Sequence, residues 1–238
     1  MYKLGYVIFA LLILISCGRD KNNQSESALQ HSAWIESFND SVSKIRVEME
    51  EINNNITLNQ NNISTLLPKF EVIDNPRFVE KYSVYKGWKD YDTGAKTGVL
   101  LRLSENSSLE LIATLQGGIF DRISVQINSE SLYSTVVPYD KALNYRIGNT
   151  NIVAFKGKEI DEICRLIANN IDSEVKFSFI GNKKQKTITL NKGQKEMISE
   201  TFHLWECNNN INKGNLRLQL LSEKLKIYES RIQRENNN

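Results

Sequence analysis

The pattern of hydrophobic and polar positions changes four times along the chain, and each change predicts a different kind of segment. Between residues 28 and 67, apolar side chains recur at alternating steps of three and four, which is the spacing of a coiled-coil seam. The seam positions are Ile35, Phe38, Val42, Ile45, Met49, Ile52, Ile56, Asn59, Ile63 and Leu66. Pro68 ends the pattern, so the sequence predicts a coiled-coil helix over residues 28–67.

A second segment with the same spacing closes the chain and predicts a C-terminal helix over residues 210–235. Its apolar positions are Ile211, Leu218, Leu221, Leu225, Tyr228 and Ile232. The two helices can pair within one chain as an antiparallel hairpin, or the N-terminal helices of several chains can associate. Because the N-terminal helix is predicted to be the longer, we expect self-association through residues 35–66. A long amphipathic helix packed on its own domain is the other interpretation of the first seam.

The middle of the chain, residues 70–206, alternates apolar and polar side chains as half-buried strands do. Strands are predicted at residues 97–103, 109–115, 123–127, 132–137, 145–147, 152–155, 175–179 and 187–190, and helices at 158–170 and 192–205. The polar loops between strands are too short for parallel crossovers. The predicted fold class is therefore α+β: a mainly antiparallel sheet domain with two helices, preceded by the coiled-coil helix and followed by the C-terminal helix.

The start of the chain carries a targeting signal. Lys3 precedes an unbroken apolar run that is too short to span a membrane. The residues Leu14-Ile15-Ser16-Cys17 that end it resemble the lipobox of bacterial lipoproteins. This resemblance implies that residues 1–16 are a cleaved signal peptide and that Cys17 carries acyl chains, palmitate among them, which attach the protein to a membrane. Residues 17–27 are polar and predict a tether.

The resemblance also implies a location in the bacterial cell envelope. Gly18 follows the cysteine, so the aspartate that retains proteobacterial lipoproteins at the inner membrane is missing. An outer-membrane location is therefore favoured if the source is Gram-negative. Residues 123–205 resemble the layout of small envelope proteins of unknown activity, and this second likeness brings no functional residues with it.

Composition excludes several classes of protein. The chain has 238 residues with 30 basic and 28 acidic side chains, a net charge of +2, which is too little basic excess for a nucleic-acid-binding protein. Three cysteines do not make a disulfide-rich scaffold. After lipidation, Cys164 and Cys207 remain. They are a possible disulfide pair, and the alternative is that Cys164 is a small buried hydrophobic side chain on its predicted helix.

The sequence offers little catalytic or metal-binding chemistry. The chain has two histidines, His31 and His203, which are too far apart in sequence to predict a metal site. Gly117-Gly118 lacks the spacing of a phosphate-binding loop, and the Asp90-Asp92 segment is interpreted as a turn rather than a calcium loop. We expect no enzymatic activity, no cofactor and no metal, with an enzyme acting on cell-wall polymers as the third alternative.

One aromatic segment is a candidate binding surface. Tyr82, Tyr85, Trp88 and Tyr91 alternate with lysines and could form a rim for a glycan or a peptide. The alternative is a strand edge whose rings cover the sheet. The sequence therefore predicts a non-enzymatic, lipid-anchored envelope protein that presents an α+β interaction domain on a helical stalk to a protein partner. A glycan- or peptide-binding module is the second hypothesis.

Overall fold

The computed structural model describes residues 23–75, 80–87, 96–182 and 184–236. Within them it contains three α-helices, a 3-10 turn at Leu67–Lys69 and ten β-strands. In chain order these are α1 Asn23–Leu66, β1 Phe70–Asn75, β2 Glu80–Tyr85, β3 Gly98–Ser104, β4 Leu109–Gln116, β5 Arg122–Ile127, β6 Glu130–Tyr133, β7 Asn144–Ile147, β8 Thr150–Phe155, α2 Lys158–Ala168, β9 Val175–Ile180, β10 Gln185–Thr189 and α3 Lys192–Asn236.

The predicted fold class is confirmed, because long N-terminal and C-terminal helices flank antiparallel sheet structure. The strands form two sheets. One has the order β1-β2-β3-β4-β8-β7 and the other the order β10-β9-β5-β6. Every pairing in both is antiparallel, as expected where most neighbouring strands are joined by short loops.

The strand predictions missed β1 and β2, and they placed β6 too late. In β1 the apolar side chain of Val72 is 68% exposed, so alternation along this strand does not report burial. The strand predicted at residues 132–137 is instead β6, Glu130–Tyr133. At Ser134 the backbone N–H still donates to the carbonyl of Ile123, but the N–H of Ile123 is accepted by the Ser134 hydroxyl, not by a backbone carbonyl, so the regular ladder ends there.

The chain divides into two compact units, and the larger, Glu48–Leu221, contains both sheets. Its core joins the two sheets to α2 and to the first part of α3. Phe120 and Phe177 both contact the ring of Phe179 edge-on, with centroids 5.1 and 5.2 Å apart, and such pairs add about 0.5–1.5 kcal/mol beyond their buried area. The α2 face that enters the core comprises Ile160, Ile163, Cys164 and Ile167.

The prediction of two separate helices after residue 192 is wrong, because α3 is a single helix from Lys192 to Asn236. The break was expected between Trp205 and residue 210. Cys207 is instead buried, and the side chain of Asn208 donates to the backbone carbonyl of Leu204 one turn earlier. Gly214 also stays helical, since its missing side chain lets Ile56 of α1 approach closely. Tertiary packing thus overrides weak helix propensity.

The smaller unit comprises residues 1–47 and 222–238, of which the described parts belong to α1 and α3. Val42 and Ile45 of the predicted seam are buried here. Phe38 packs edge-on against Tyr228, with ring centroids 5.2 Å apart. Near the ends of the unit, His31 lies 3.9 Å from Glu235. The two helices therefore run antiparallel within this unit.

Seam residues of α1 also face α3 in the larger unit, where Ile52 and Ile56 lie against Gly214. Asn59, the polar seam position, is only 7% exposed, and its amide donates to the backbone and side-chain oxygens of Asn55. In both units, therefore, the seam is paired within the chain. Self-association was expected because the N-terminal helix was predicted to be the longer of the two. That prediction is wrong, since α1 has 44 residues and α3 has 45. Self-association through residues 35–66 stays a prediction.

Only the last part of the predicted N-terminal region lies among the described residues. The signal peptide at residues 1–16 and Cys17 lie outside them. Helix α1 begins at Asn23, so the later part of the predicted tether over residues 17–27 is helical. Among the described residues, none of the helices combines the length and the apolar character needed to span a membrane.

Candidate functional site

A cleft of about 780 Å³ lies in the larger unit. It lies where three connections meet: residues 117–121 between β4 and β5, the turn between β7 and β8, and the turn between β9 and β10. We call it the loop cleft. Its lining residues are Leu115, Gln116, Gly117, Gly118, Ile119, Phe120, Asp121, Arg146, Asn149, Gly181, Asn182, Lys184, Gln185 and Lys186.

Glycines bring backbone to the surface of the loop cleft. A Cβ on Gly181 would overlap the backbone carbonyl oxygen of Ile119, so only glycine fits where these two connections touch. Gly117 has φ +76°, a left-handed conformation that glycine adopts without a steric penalty. Main-chain atoms therefore form part of the cleft wall, and a ligand can approach them closely.

A buried pair of asparagines holds the walls of the loop cleft in place. Asn151 is fully buried, and its side-chain oxygen accepts the backbone N–H of Phe120 at 2.8 Å. Its amide donates to the side-chain oxygen of Asn144 and to the backbone carbonyl of Tyr145. Asn144 in turn donates to the carbonyl of Val137 at 2.7 Å. This network ties the β4–β5 connection to β7 and β8 and to the segment before β7.

Asp140 orders that segment. One of its carboxylate oxygens accepts the backbone N–H groups of Ala142, Leu143 and Asn144 at 2.9, 2.7 and 3.0 Å. The backbone hydrogen bond from Asn144, followed by that from Ala142, lowers the pKa of Asp140 below its ordinary value of 3.8. The turn before β7 is therefore held by an ionised carboxylate at neutral pH.

The loop cleft carries an excess of positive charge. Arg146 comes from β7, Lys184 from the β9–β10 turn and Lys186 from β10, and Asp121 is the one acidic lining residue. Within the described part of the chain, Arg146 and Lys184 have no ion-pair or hydrogen-bond partner for their side chains, and Lys186 reaches only the hydroxyl of Thr97 at 3.5 Å. Ile119, which is 64% exposed, adds an apolar side chain to the same surface.

A smaller pocket of about 280 Å³ lies on the six-stranded sheet and contains the paired carboxylate of Glu110. We call it the Glu110 pocket. Glu110, whose side chain is 5% exposed, accepts contacts from Arg102 at 2.7 Å and from Lys156 at 2.6 Å. The guanidinium of Arg102 stacks on the ring of Tyr82 at 4.4 Å. Burial raises the pKa of Glu110, but the hydrogen bond from Lys156 and the charge of Arg102 outweigh it and hold the pKa below its usual value of 4.5.

The structure places the two described residues of the predicted aromatic rim in different surroundings. Tyr82 and Tyr85 are three positions apart in β2 and so point to opposite faces of the sheet. Tyr82 lines the Glu110 pocket, whereas the hydroxyl of Tyr85 donates to Glu196 of α3 at 3.0 Å. Residues 80–85 do form a strand, but β2 lies between β1 and β3 and is not an edge of the sheet. Trp88 and Tyr91 lie outside the described residues.

The other predicted site residues are distributed over the helices. Cys164 and Cys207 are both buried free thiols, so the disulfide considered from the sequence is not formed. Burial raises the pKa of each thiol, which makes them poor nucleophiles. His203 lies 4.0 Å from Glu206 on its own helix. No group of three or more metal-ligating side chains occurs among the residues described.

The sequence analysis missed the loop cleft because its charged residues come from three separate elements. Two signals for it were visible: the glycine turns at residues 148–150 and 181–184. Glycines mark turns, but they do not show which turns share one end of a domain. No family model, curated protein or solved structure matches this chain.

Proposed function

We propose that this chain is a non-enzymatic, lipid-anchored protein of the bacterial cell envelope, outer-membrane in a Gram-negative source, whose α+β domain binds another envelope component through the loop cleft. The lipobox-like residues that end in Cys17 support the anchor. Two or more acyl chains on one cysteine hold a protein on a membrane without help from net charge.

The single observation that carries the binding role is the construction of the loop cleft. Its walls are fixed by the buried pair Asn144 and Asn151, while the charged side chains of Arg146 and Lys184 have no ion-pair or hydrogen-bond partner in the described chain. Binding sites are commonly concave, largely preformed and furnished with a few convergent polar groups. A rigid wall beside unengaged charges fits that description better than it fits a surface kept only for stability.

The anchor is tested by mass spectrometry of the mature N-terminus and by labelling cells with a palmitate analogue. We expect wild-type chain to begin at an acylated Cys17 and to be labelled, and Cys17→Ser to lose the label and leave the membrane fraction. Ser16→Ala is the matched control, since it keeps a small residue before the cysteine. An unlabelled wild-type chain with residues 1–16 intact would refute the anchor.

The binding role is tested with a photo-crosslinking amino acid placed at Asn149, an exposed residue of the loop cleft. The control position is Lys176, which is exposed at the opposite end of β9 from Gly181. We expect a discrete crosslinked product in living cells from position 149 and none from position 176. The absence of a product at 149, or the same product at both positions, would overturn the assignment of the loop cleft.

A glycan- or peptide-binding module centred on Tyr82 is a second candidate, because Tyr82 lines an open polar pocket. Its ring is already covered on one face by Arg102. Calorimetric titration with glycan fragments tests this candidate, with Tyr82→Ala expected to abolish binding. Trp88→Ala should have the same effect if the whole aromatic segment takes part.

A further inference from the structure

The ligand chemistry of the loop cleft follows from its charge and from the strands that flank it, given the proposed function on which this step rests. We propose that the loop cleft binds an extended acidic peptide segment of the partner, with carboxylates on Arg146, Lys184 and Lys186 and an apolar side chain on Ile119. The same surface would serve as the specificity determinant of the domain.

Charge complementarity gives the first reason. Three cations and one carboxylate line the cleft, and two of those cations have no partner in the described residues. A cation without a counter-ion gains most from a ligand that brings one. Arginine can also hold a carboxylate with two parallel hydrogen bonds.

Main-chain geometry gives the second reason and favours a peptide over other anions. Arg146 belongs to β7 and Lys186 to β10, and each of these strands lies at an edge of its sheet. The outer edge of such a strand presents backbone N–H and C=O groups that an extended peptide can pair with. In β7 the N–H and C=O of Asn144 are already bonded to residues 140 and 141, so the peptide would pair beyond Asn144, next to Arg146. The N–H groups of Gly118 and Ile119 likewise donate to no other described residue. A peptide supplies both carboxylates and complementary backbone groups.

The apolar side chain in the loop cleft predicts the residue pattern of the bound peptide. Ile119 is exposed and lines the cleft together with the charged residues, and successive side chains of an extended peptide point to opposite sides. A segment with acidic residues alternating with aliphatic ones would therefore place carboxylates and apolar groups on the cleft in turn.

The probe is a fluorescein-labelled nonapeptide of alternating glutamate and leucine, titrated by fluorescence anisotropy against the full-length chain in uncharged detergent micelles. Two matched peptides accompany it: one with glutamine for every glutamate, and one N-methylated at every leucine. We expect each change to weaken binding about tenfold or more, since a tenfold loss corresponds to about 1.4 kcal/mol. Raising the salt from about 50 to about 300 mM should weaken only the acidic peptides.

Protein variants localise the effect. Arg146→Gln and Lys184→Gln should each weaken the acidic peptide about three- to fivefold, as expected for loss of one exposed ion pair, and Lys184→Arg should retain binding. Lys176→Gln removes the same charge from the far end of β9 and should leave the affinity unchanged. None of these side chains has a described partner, so the thermal midpoints should stay at the wild-type value.

The outcomes separate the two proposals. Equal binding of the glutamate and glutamine peptides, no binding of either at about 1 mM, or an equal loss in Lys176→Gln would overturn the acidic-peptide inference. If the crosslink from position 149 is still obtained, the proposed function survives that result. Loss of the crosslink would overturn the proposed function itself, whatever the peptides do.

Discussion

Two of the pockets in the larger unit contain the same types of cationic side chain, paired in one pocket and unpaired in the other. In the Glu110 pocket, Arg102 and Lys156 both contact one buried carboxylate. In the loop cleft, Arg146 and Lys184 contact no acid in the described chain, and the rigidity comes from buried neutral amides beneath them. The same cationic residue types thus stabilise the fold in one place and stay available to a ligand in the other.

The difference between the two pockets indicates which of their residues contribute to the stability of the fold. A buried charge network is costly to break because removing one member leaves another uncompensated. An exposed lysine without a partner costs almost nothing to remove. Stability measurements should therefore respond strongly to the Glu110 pocket and to the framework beneath the loop cleft, and weakly to the charged residues that line it.

The largest effect is expected from Asn151→Ala. The change leaves the N–H of Phe120 and the side-chain oxygen of Asn144 without the buried amide that they contact, and it removes one hydrogen bond to the carbonyl of Tyr145. We expect a loss of about 3–4 kcal/mol in the free energy of unfolding, measured by urea denaturation. Asn149→Ala, an exposed asparagine two positions earlier, should cost almost nothing. An equal loss of unfolding free energy in the two variants would show that the hydrogen bonds of Asn151 do not stabilise the fold.

Glu110→Gln should destabilise by about 2–3 kcal/mol, because Arg102 and Lys156 lose a shared carboxylate that is nearly buried. The matched control is Glu162→Gln, which breaks the exposed pair with Lys158 and should cost less than about 0.5 kcal/mol. Chemical denaturation of both variants at pH 7 measures the difference. A cost below that of the control would show that the network contributes nothing.

The same carboxylate predicts a dependence on pH. The folded pKa of Glu110 lies below 4.5, so its contribution is complete above that pH and is lost as the pH falls from 4.5 through the lower folded value. Urea midpoints of the wild type between pH 7 and pH 3 should show this loss. Glu110→Gln should have a flatter profile over the same range, and a parallel profile would contradict the assignment.

Gly181→Ala tests the backbone wall of the loop cleft. Its Cβ would overlap the carbonyl oxygen of Ile119, and backbone atoms cannot move aside as a flexible side chain does. We expect a cost of about 2 kcal/mol. Gly148→Ala meets no atom within 4 Å but has φ +58°, so it should cost only about 1 kcal/mol. Thermal unfolding of both variants ranks the two effects.

The smallest change in stability is expected when one lysine is replaced by glutamine in each of the two pockets. Lys156→Gln removes a contact with Glu110 and should cost about 1 kcal/mol, while Lys184→Gln in the loop cleft should change stability by less than about 0.5 kcal/mol. Differential scanning calorimetry at low salt resolves such a difference. The comparison would fail if the lysine of the loop cleft proved the more stabilising of the two.

The sequence predicted what depends on local periodicity and missed what depends on distant contacts. The alternation in β5 and β9 and the apolar face of α2 were visible because apolar side chains recur there with the period of the strand or helix. The continuity of α3 past Asn208 was not, because it depends on packing against α1. The loop cleft was missed for a similar reason: Arg146 and Lys184 are neighbours only after two sheets have formed. The roles of Asn144 and Asn151 likewise depend on burial, which residue type alone does not indicate.

The antiparallel arrangement of the smaller unit has a mechanical consequence. His31 lies beside Glu235, and Phe38 packs on Tyr228 farther along the same pair of helices. A force that draws the outer ends of α1 and α3 apart would load these contacts one after another instead of all together. In an optical trap, this part of the molecule should unzip at low force and re-close readily when the tension is released.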